Sequence, residues 1–320
     1  MQPALSVIFF TTLSGAGYGL LMWLGVSIAL LHTRSAVMMS AHGLQLAALL
    51  LGLALSTAGL LSSLAHLGKP LRAWRALSQW RTSWLSREGV LALATMLPAL
   101  AIGVLLLTVR LGPNSATTLA LSGFLLAAFA LATVACTAMI YASLKTIPAW
   151  QHPLVVPVYL LFALLTGLAL LFVLMAWKSG TDREGVAGML ATAAFVGGLL
   201  VAVKWVYWHD IDRAPLPATR ADAVGIPGRD VGVFERPHTE ANYITREMVF
   251  AIARTHALRL RILASALVFG VPLLGWALTS TFAQHPVVLL AAVALSTLAG
   301  AFVERWLFFA QARHVVSLYY

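Results

Sequence analysis

Eight long apolar runs divide the chain, at about residues 4–31, 38–64, 89–109, 116–141, 154–177, 185–203, 262–282 and 287–310. Each is 19 to 28 residues long, and about 20 apolar residues in a helix cross the hydrocarbon core of a bilayer. Backbone polar groups find no water inside lipid, so only helices or closed barrels span it. The runs are continuous and do not alternate, which excludes barrel strands. The expected fold class is therefore all-α, a polytopic membrane protein built as a bundle of eight transmembrane helices. The whole of residues 1–320 reads as one membrane domain, with a long loop at 204–261 and no room for a sizeable soluble domain. Charged residues make up only 10% of the chain, against roughly a quarter in a soluble one.

The first run has no basic segment before it and no evident small-residue cleavage site after it, so it reads as a span and not a cleaved signal. Gly15, Gly17 and Gly19 form a small-residue strip suited to close helix packing. Pro98, Pro157 and Pro272 fall inside spans, where proline kinks a helix. Cys136 is the single cysteine, which excludes a disulfide framework, a thiolate zinc site or an iron–sulfur cluster held by this chain alone. The formal charge of +10 is unevenly spread. On the side that carries both termini, the loops and chain end hold 17 of the 21 Lys and Arg residues, and the other side holds Arg34, Arg110, Lys178 and Arg183. The positive-inside rule puts the basic side, and both termini, in the cytoplasm.

None of the nine histidines falls near a midplane, so the paired axial ligands of a b-haem are missing and no haem is expected. The connection between the second and third spans is richer. Pro70 starts a short helix on which Leu71, Trp74 and Leu77 share an apolar side and Arg72, Arg75 and Gln79 a polar one. Trp74, Trp80 and Trp84 suit the headgroup belt, and anchoring with snorkelling arginines would explain them alone. His66 and Glu88 are different, because each sits where an apolar span meets the loop. An imidazole and a carboxylate at one membrane edge are suited to hydrogen-bond a quinone head group and move its protons.

The segment His66–Glu88, with Tyr141–Trp150 after the fourth span, resembles the membrane-anchor subunits of molybdopterin oxidoreductases, the dimethyl-sulfoxide-reductase anchor family. The resemblance covers nearly the whole chain and is specific in the loop. It implies a haem-free anchor in a bacterial inner membrane that exchanges electrons and protons with a quinone, ubiquinone or menaquinone. It also implies an iron–sulfur electron-transfer subunit docked beside the quinone site and, beyond it, a molybdopterin catalytic subunit; clusters and molybdopterin belong to those partners. His66 and Glu88 match the family's quinol-site pattern. Lys69, Arg72 and Arg75 match its basic loop, and with Arg81 and Arg87 they are candidates for partner docking or for lipid phosphates.

The loop 204–261 and the C-terminal stretch Glu304–Tyr320 resemble, within that family, the anchors of cytoplasm-facing sulfite dehydrogenases. This implies sulfite oxidation coupled to quinone reduction, with the anchor doing no sulfur chemistry itself; a dimethyl-sulfoxide-type reductase that oxidises quinol is the alternative. Charge and Pro215, Pro217, Pro227 and Pro237 in the loop suggest a segment that orders on a partner, and residues 243–260 suggest a helix leading into the seventh span. Glu304 lies about 26 Å along its helix from Val287, at about 1.5 Å per residue, and so reaches the same edge as His66 and Glu88. An ion pair with a basic loop residue and a proton path are its two readings. Tyr141 and Lys145, also at this edge, are further candidates for quinone contact, with interface anchoring as the plain reading of the tyrosine. A secondary transporter is the rival class, although it would place polar groups near the midplane.

Overall fold

The computed structural model describes residues 4–31, 41–65, 67–108, 113–214, 216–232, 234–235, 256–279 and 284–319. Eight of its helices are long and apolar enough to cross a bilayer: α1 Leu5–Leu31, α2 His42–Leu64, α3 Trp84–Thr108, α4 Pro113–Ala142, α5 Val155–Ser179, α6 Arg183–Arg213, α7 Ala257–Ala277 and α8 Pro286–Ala310. The described residues contain no strand. Consecutive helices run in opposite directions, so the chain between α2 and α3, the turn after α4 and the end of α8 meet on one side.

Helix α1 is the axis of the bundle, packed on α2, α4, α5 and α8. Two of its buried polar residues satisfy their hydroxyls by bonding back to the preceding turn. Thr11 donates to Val7 O at 3.0 Å and Ser14 to Phe10 O at 2.6 Å. The small-residue strip does what its composition suggests at Gly19, where a Cβ would sit 1.8 Å from the carbonyl oxygen of Ala163 on α5. Facing it, a Cβ on Gly167 would lie 2.2 Å from the Gly19 carbonyl carbon. Helix α3, by contrast, keeps Leu93, Leu97, Leu100, Val104 and Leu107 exposed in one stripe, a face suited to lipid.

The prolines behave differently from one another. Pro98 lies inside α3, whereas Pro157 falls in the first turn of α5, where its missing N–H has no intrahelical partner to lose. Pro272 follows a π-helical turn at Ala266–Gly270 within α7. There the Leu267 carbonyl accepts a hydrogen bond from the Ser296 hydroxyl of α8 at 2.8 Å.

Helix α6 runs ten residues past the apolar run that ends at 203, so the expected loop begins later than its charge suggests. Tyr207 and Trp208 are buried, and the Tyr207 hydroxyl donates to Ala149 O at 2.9 Å, which holds the added turns in place. Further along, a single turn at Arg220–Ala223 is closed by a reciprocal cap between Thr219 and Asp222. The backbone N–H and hydroxyl of Thr219 hold the Asp222 carboxyl below the usual carboxylate range. Residues 243–255 of the expected entry helix lie outside the described residues, and among the described residues α7 begins at Ala257.

Candidate functional site

At the end of the bundle where the α2–α3 connection lies, a cleft of about 750 Å³ opens between α1, α2, α4 and that connection. Leu60 and Leu64 of α2, Phe10 of α1 and Ile140 of α4 give it apolar walls. Its polar groups are few, notably Glu88 and Arg72. Pro70–Gln79 forms a 3₁₀ helix that roofs the cleft with Ala73, Ala76 and Leu77. The Ser86 hydroxyl donates to the Ala76 carbonyl and pins this roof to α3. Leu77 also packs over Gly89, where a Cβ would come within 2.7 Å of Leu77 Cδ2. The apolar side expected for this segment is therefore split: Leu77 turns inward while Leu71 and Trp74 project away from the protein. Its attachment to α3 through Ala76 and Leu77 sets that rotation.

Glu88, one turn into α3, is 3% exposed and lines the cleft. Its carboxylate accepts a hydrogen bond from the Thr137 hydroxyl of α4. The same hydroxyl also reaches Thr133 O at 3.1 Å, so a single proton has two acceptors within range. Tyr141 lines the cleft one helical turn beyond Thr137. Trp150, Phe308 and Phe309 meet its ring edge-on at 5.1–5.8 Å between centroids, and this cage fixes it. Trp150 is itself anchored by its indole N–H, which donates to Phe308 O at 3.0 Å. His66 lies outside the described residues, between Ala65 at the end of α2 and Leu67 on the cleft wall.

The basic residues divide by use. Arg87 donates to the carbonyls of Trp80 and Arg81 at 3.1 and 2.7 Å and lies over the Trp84 ring, so it staples the end of the loop. Arg75 and Arg81 rest against Trp74 and Trp80, at 5.7 and 5.6 Å from the ring centroids. Arg72 alone of the five lines the cleft, and Lys69 is exposed. Lys145 is exposed on the turn after α4 and is not brought to the cleft wall.

Glu304 is not on that wall either. It is 1% exposed inside the bundle, with Lys204 Nζ of α6 2.5 Å from Oε1 and Arg305 Nη1 2.9 Å from Oε2. Its partner is thus an interior helix lysine, not a loop residue. Removing such ions from water costs several kcal/mol each, which only full pairing offsets. The cluster carries two cations for one carboxylate, and aromatic faces receive the excess. Lys204 lies 4.1 Å from the Tyr207 centroid and 4.8 Å from that of Trp208, and the Arg305 guanidinium lies 3.5 Å above Tyr159. Toward the same end, Arg261 of α7 bonds Asp212 with both arms of its guanidinium, at 2.6 and 2.8 Å. Sequence reasoning missed Lys204 and Arg305. The available signal was the aromatic pair Tyr207-Trp208, three and four residues past Lys204, which continues a helical face.

A family model described as the DMSO reductase anchor subunit (DmsC) matches residues 1–311. Over 329 aligned residues the chain is 34% identical to the C subunit of the sulfite dehydrogenase of Allochromatium vinosum, covering 100% of this chain and 99% of the relative.

Proposed function

The chain belongs to the DMSO reductase anchor-subunit family, and from that premise we propose that it is the quinone-reactive membrane subunit of a molybdenum oxidoreductase. Such an anchor implies a molybdopterin catalytic subunit as partner, and the reading adds an iron–sulfur subunit between the two. The observation that supports it most is the cleft, whose volume lies in the range of small-molecule sites. Long apolar walls suit an isoprenoid tail, and the few polar groups suit a head group with two oxygens. When bound, the quinone supplies a two-electron, two-proton carrier. Glu88 then holds or releases a proton at its carboxyl, with Thr137 as its hydrogen-bond partner in either state. His66 hydrogen-bonds the head group, Tyr141 closes the wall and Arg72 faces the cleft mouth. Lys69, Arg75 and Arg81 remain for the partner or for lipid phosphate, whereas Arg87 is engaged within its own loop.

Full-length similarity to a sulfite dehydrogenase subunit favours sulfite oxidation, with electrons flowing to quinone, over a dimethyl-sulfoxide-type reductase that oxidises quinol. The basic residues gathered at the cleft end favour a cytoplasmic position for that end, and for both termini, in a bacterial inner membrane. Membership of an anchor family stands against the transporter alternative.

The test uses the purified complex. Iron and about one molybdenum per copy should co-purify, since the reading assigns both to partners. His66→Ala and Glu88→Gln should each lower quinone-linked turnover about 100-fold or more while the molybdenum partner keeps its dye-linked turnover. Quinone turnover retained by both variants in an assembled complex overturns the reading.

A further inference from the structure

Between α1, α4, α5 and α8 lies a second, much smaller interior cavity of about 10 Å³, which is room for roughly one water molecule. Thr11, Thr12, Thr137, Tyr159, Thr166 and Arg305 make its wall polar. Empty protein cavities are lined by apolar groups, whereas polar ones of this size hold a water with two to four partners. Two buried side-chain oxygens on this wall, Thr12 Oγ1 and the Tyr159 hydroxyl, have no hydrogen-bond partner among the described residues. Leaving a buried hydroxyl unpaired is costly. The other hydroxyls are already committed as donors, Thr11 to Val7 O and Thr166 to Phe162 O, which leaves their lone pairs to accept.

Two wall residues also reach the ionisable groups on either side. Thr137 donates to Glu88, and Arg305 pairs with Glu304, which pairs in turn with Lys204. We infer that this cavity is a binding site for a single water, which bonds Thr12, Tyr159 and Thr137 and links Glu88 to the buried Lys204–Glu304–Arg305 cluster. Tyr159 is the positioning residue: the Arg305 guanidinium over its ring sets where its hydroxyl points. The consequence deepens the quinone-site reading and rests on it. When Glu88 gives its proton to a bound acceptor, the Thr137 hydroxyl turns from Thr133 O to the carboxylate, and the water donates to Thr137 Oγ1. One proton leaves Glu88, no bond between heavy atoms changes and no heavy atom moves.

The test is made on the whole complex, wild type and Tyr159→Phe, with Thr12→Val as a second variant should the first not assemble. An experimental map that resolves waters should contain density within hydrogen-bond distance of Tyr159 and Thr137. The infrared bands of Glu88, identified as those lost in Glu88→Gln, should shift in Tyr159→Phe and likewise in Thr12→Val, which leaves the stacking of Tyr159 on Tyr141 in place. An empty cavity, or Glu88 bands that stay in place, overturns the proposal. Neither readout requires quinone, so failure of the quinone reading is seen separately, as a wild-type complex without quinone-linked turnover.

Discussion

Glu88 and Glu304 are both buried carboxylates at the same end of one bundle, yet their surroundings are opposite. Glu304 is clamped between two cations and does not line the cleft. Glu88 has a neutral hydroxyl for a partner and about 750 Å³ of mostly apolar space beside it. The first arrangement fixes a charge, and its natural role is to lock α6 to α8. The second sets a carboxyl with a neutral partner beside open space, which under the proposed function lets a proton come and go beside the quinone. Burial alone therefore says little about a membrane carboxylate; the charge of its partners separates a rivet from a working group.

The largest effect should come from removing the rivet. Glu304→Ala leaves Lys204 and Arg305 buried without a counter-ion, and should destabilise the protein by about 3–5 kcal/mol, read as lost assembly or a lower melting temperature in detergent. Lys204→Met should be clearly milder, because Arg305 still pairs the carboxylate. Equal losses would break the distinction. Glu88→Gln should invert the pattern: the amide still accepts from Thr137 and the melting temperature stays close to wild type, while quinone-linked turnover falls about 100-fold, the scale of a lost proton-transfer group.

A finer cut is available on the roof. Gly89→Ala pushes only the flexible tip of Leu77, so stability should hold while the KM for quinone rises about fivefold, equivalent to about 1 kcal/mol. The smallest effect is expected at Asp212→Asn. Arg261 is mostly buried, but the Asp212 side chain is 55% exposed, so the pair should contribute about 1 kcal/mol or less and weaken further with salt.

How much of this could be read from the sequence depends on which physical signal each part leaves. The eight spans were legible because lipid demands length and apolarity, and both are one-dimensional properties of the chain. Glu88 was legible because a carboxylate at the very edge of an apolar run has few reasons to be there. Glu304 was visible for the same cause, but its partner was not. Lys204 ends an apolar run and looks like the start of a loop until α6 is seen to continue on Tyr207 and Trp208. Arg305 pairs with its own neighbour and lies over Tyr159, a contact that depends on how α5 meets α8 and leaves no spacing in the sequence. The inward turn of Leu77 likewise follows from a bond between Ser86 and a backbone carbonyl, which residue types do not announce.

The central position of α1 has a consequence for how the bundle comes into being. This helix is synthesised before every neighbour it needs, and the small polar cavity that Thr11 and Thr12 line is closed only when α4, α5 and α8 have entered the membrane. Until then a polar stripe faces lipid. The first span therefore waits for the last, and a chain halted before α8 leaves the cavity beside Thr12 open to lipid.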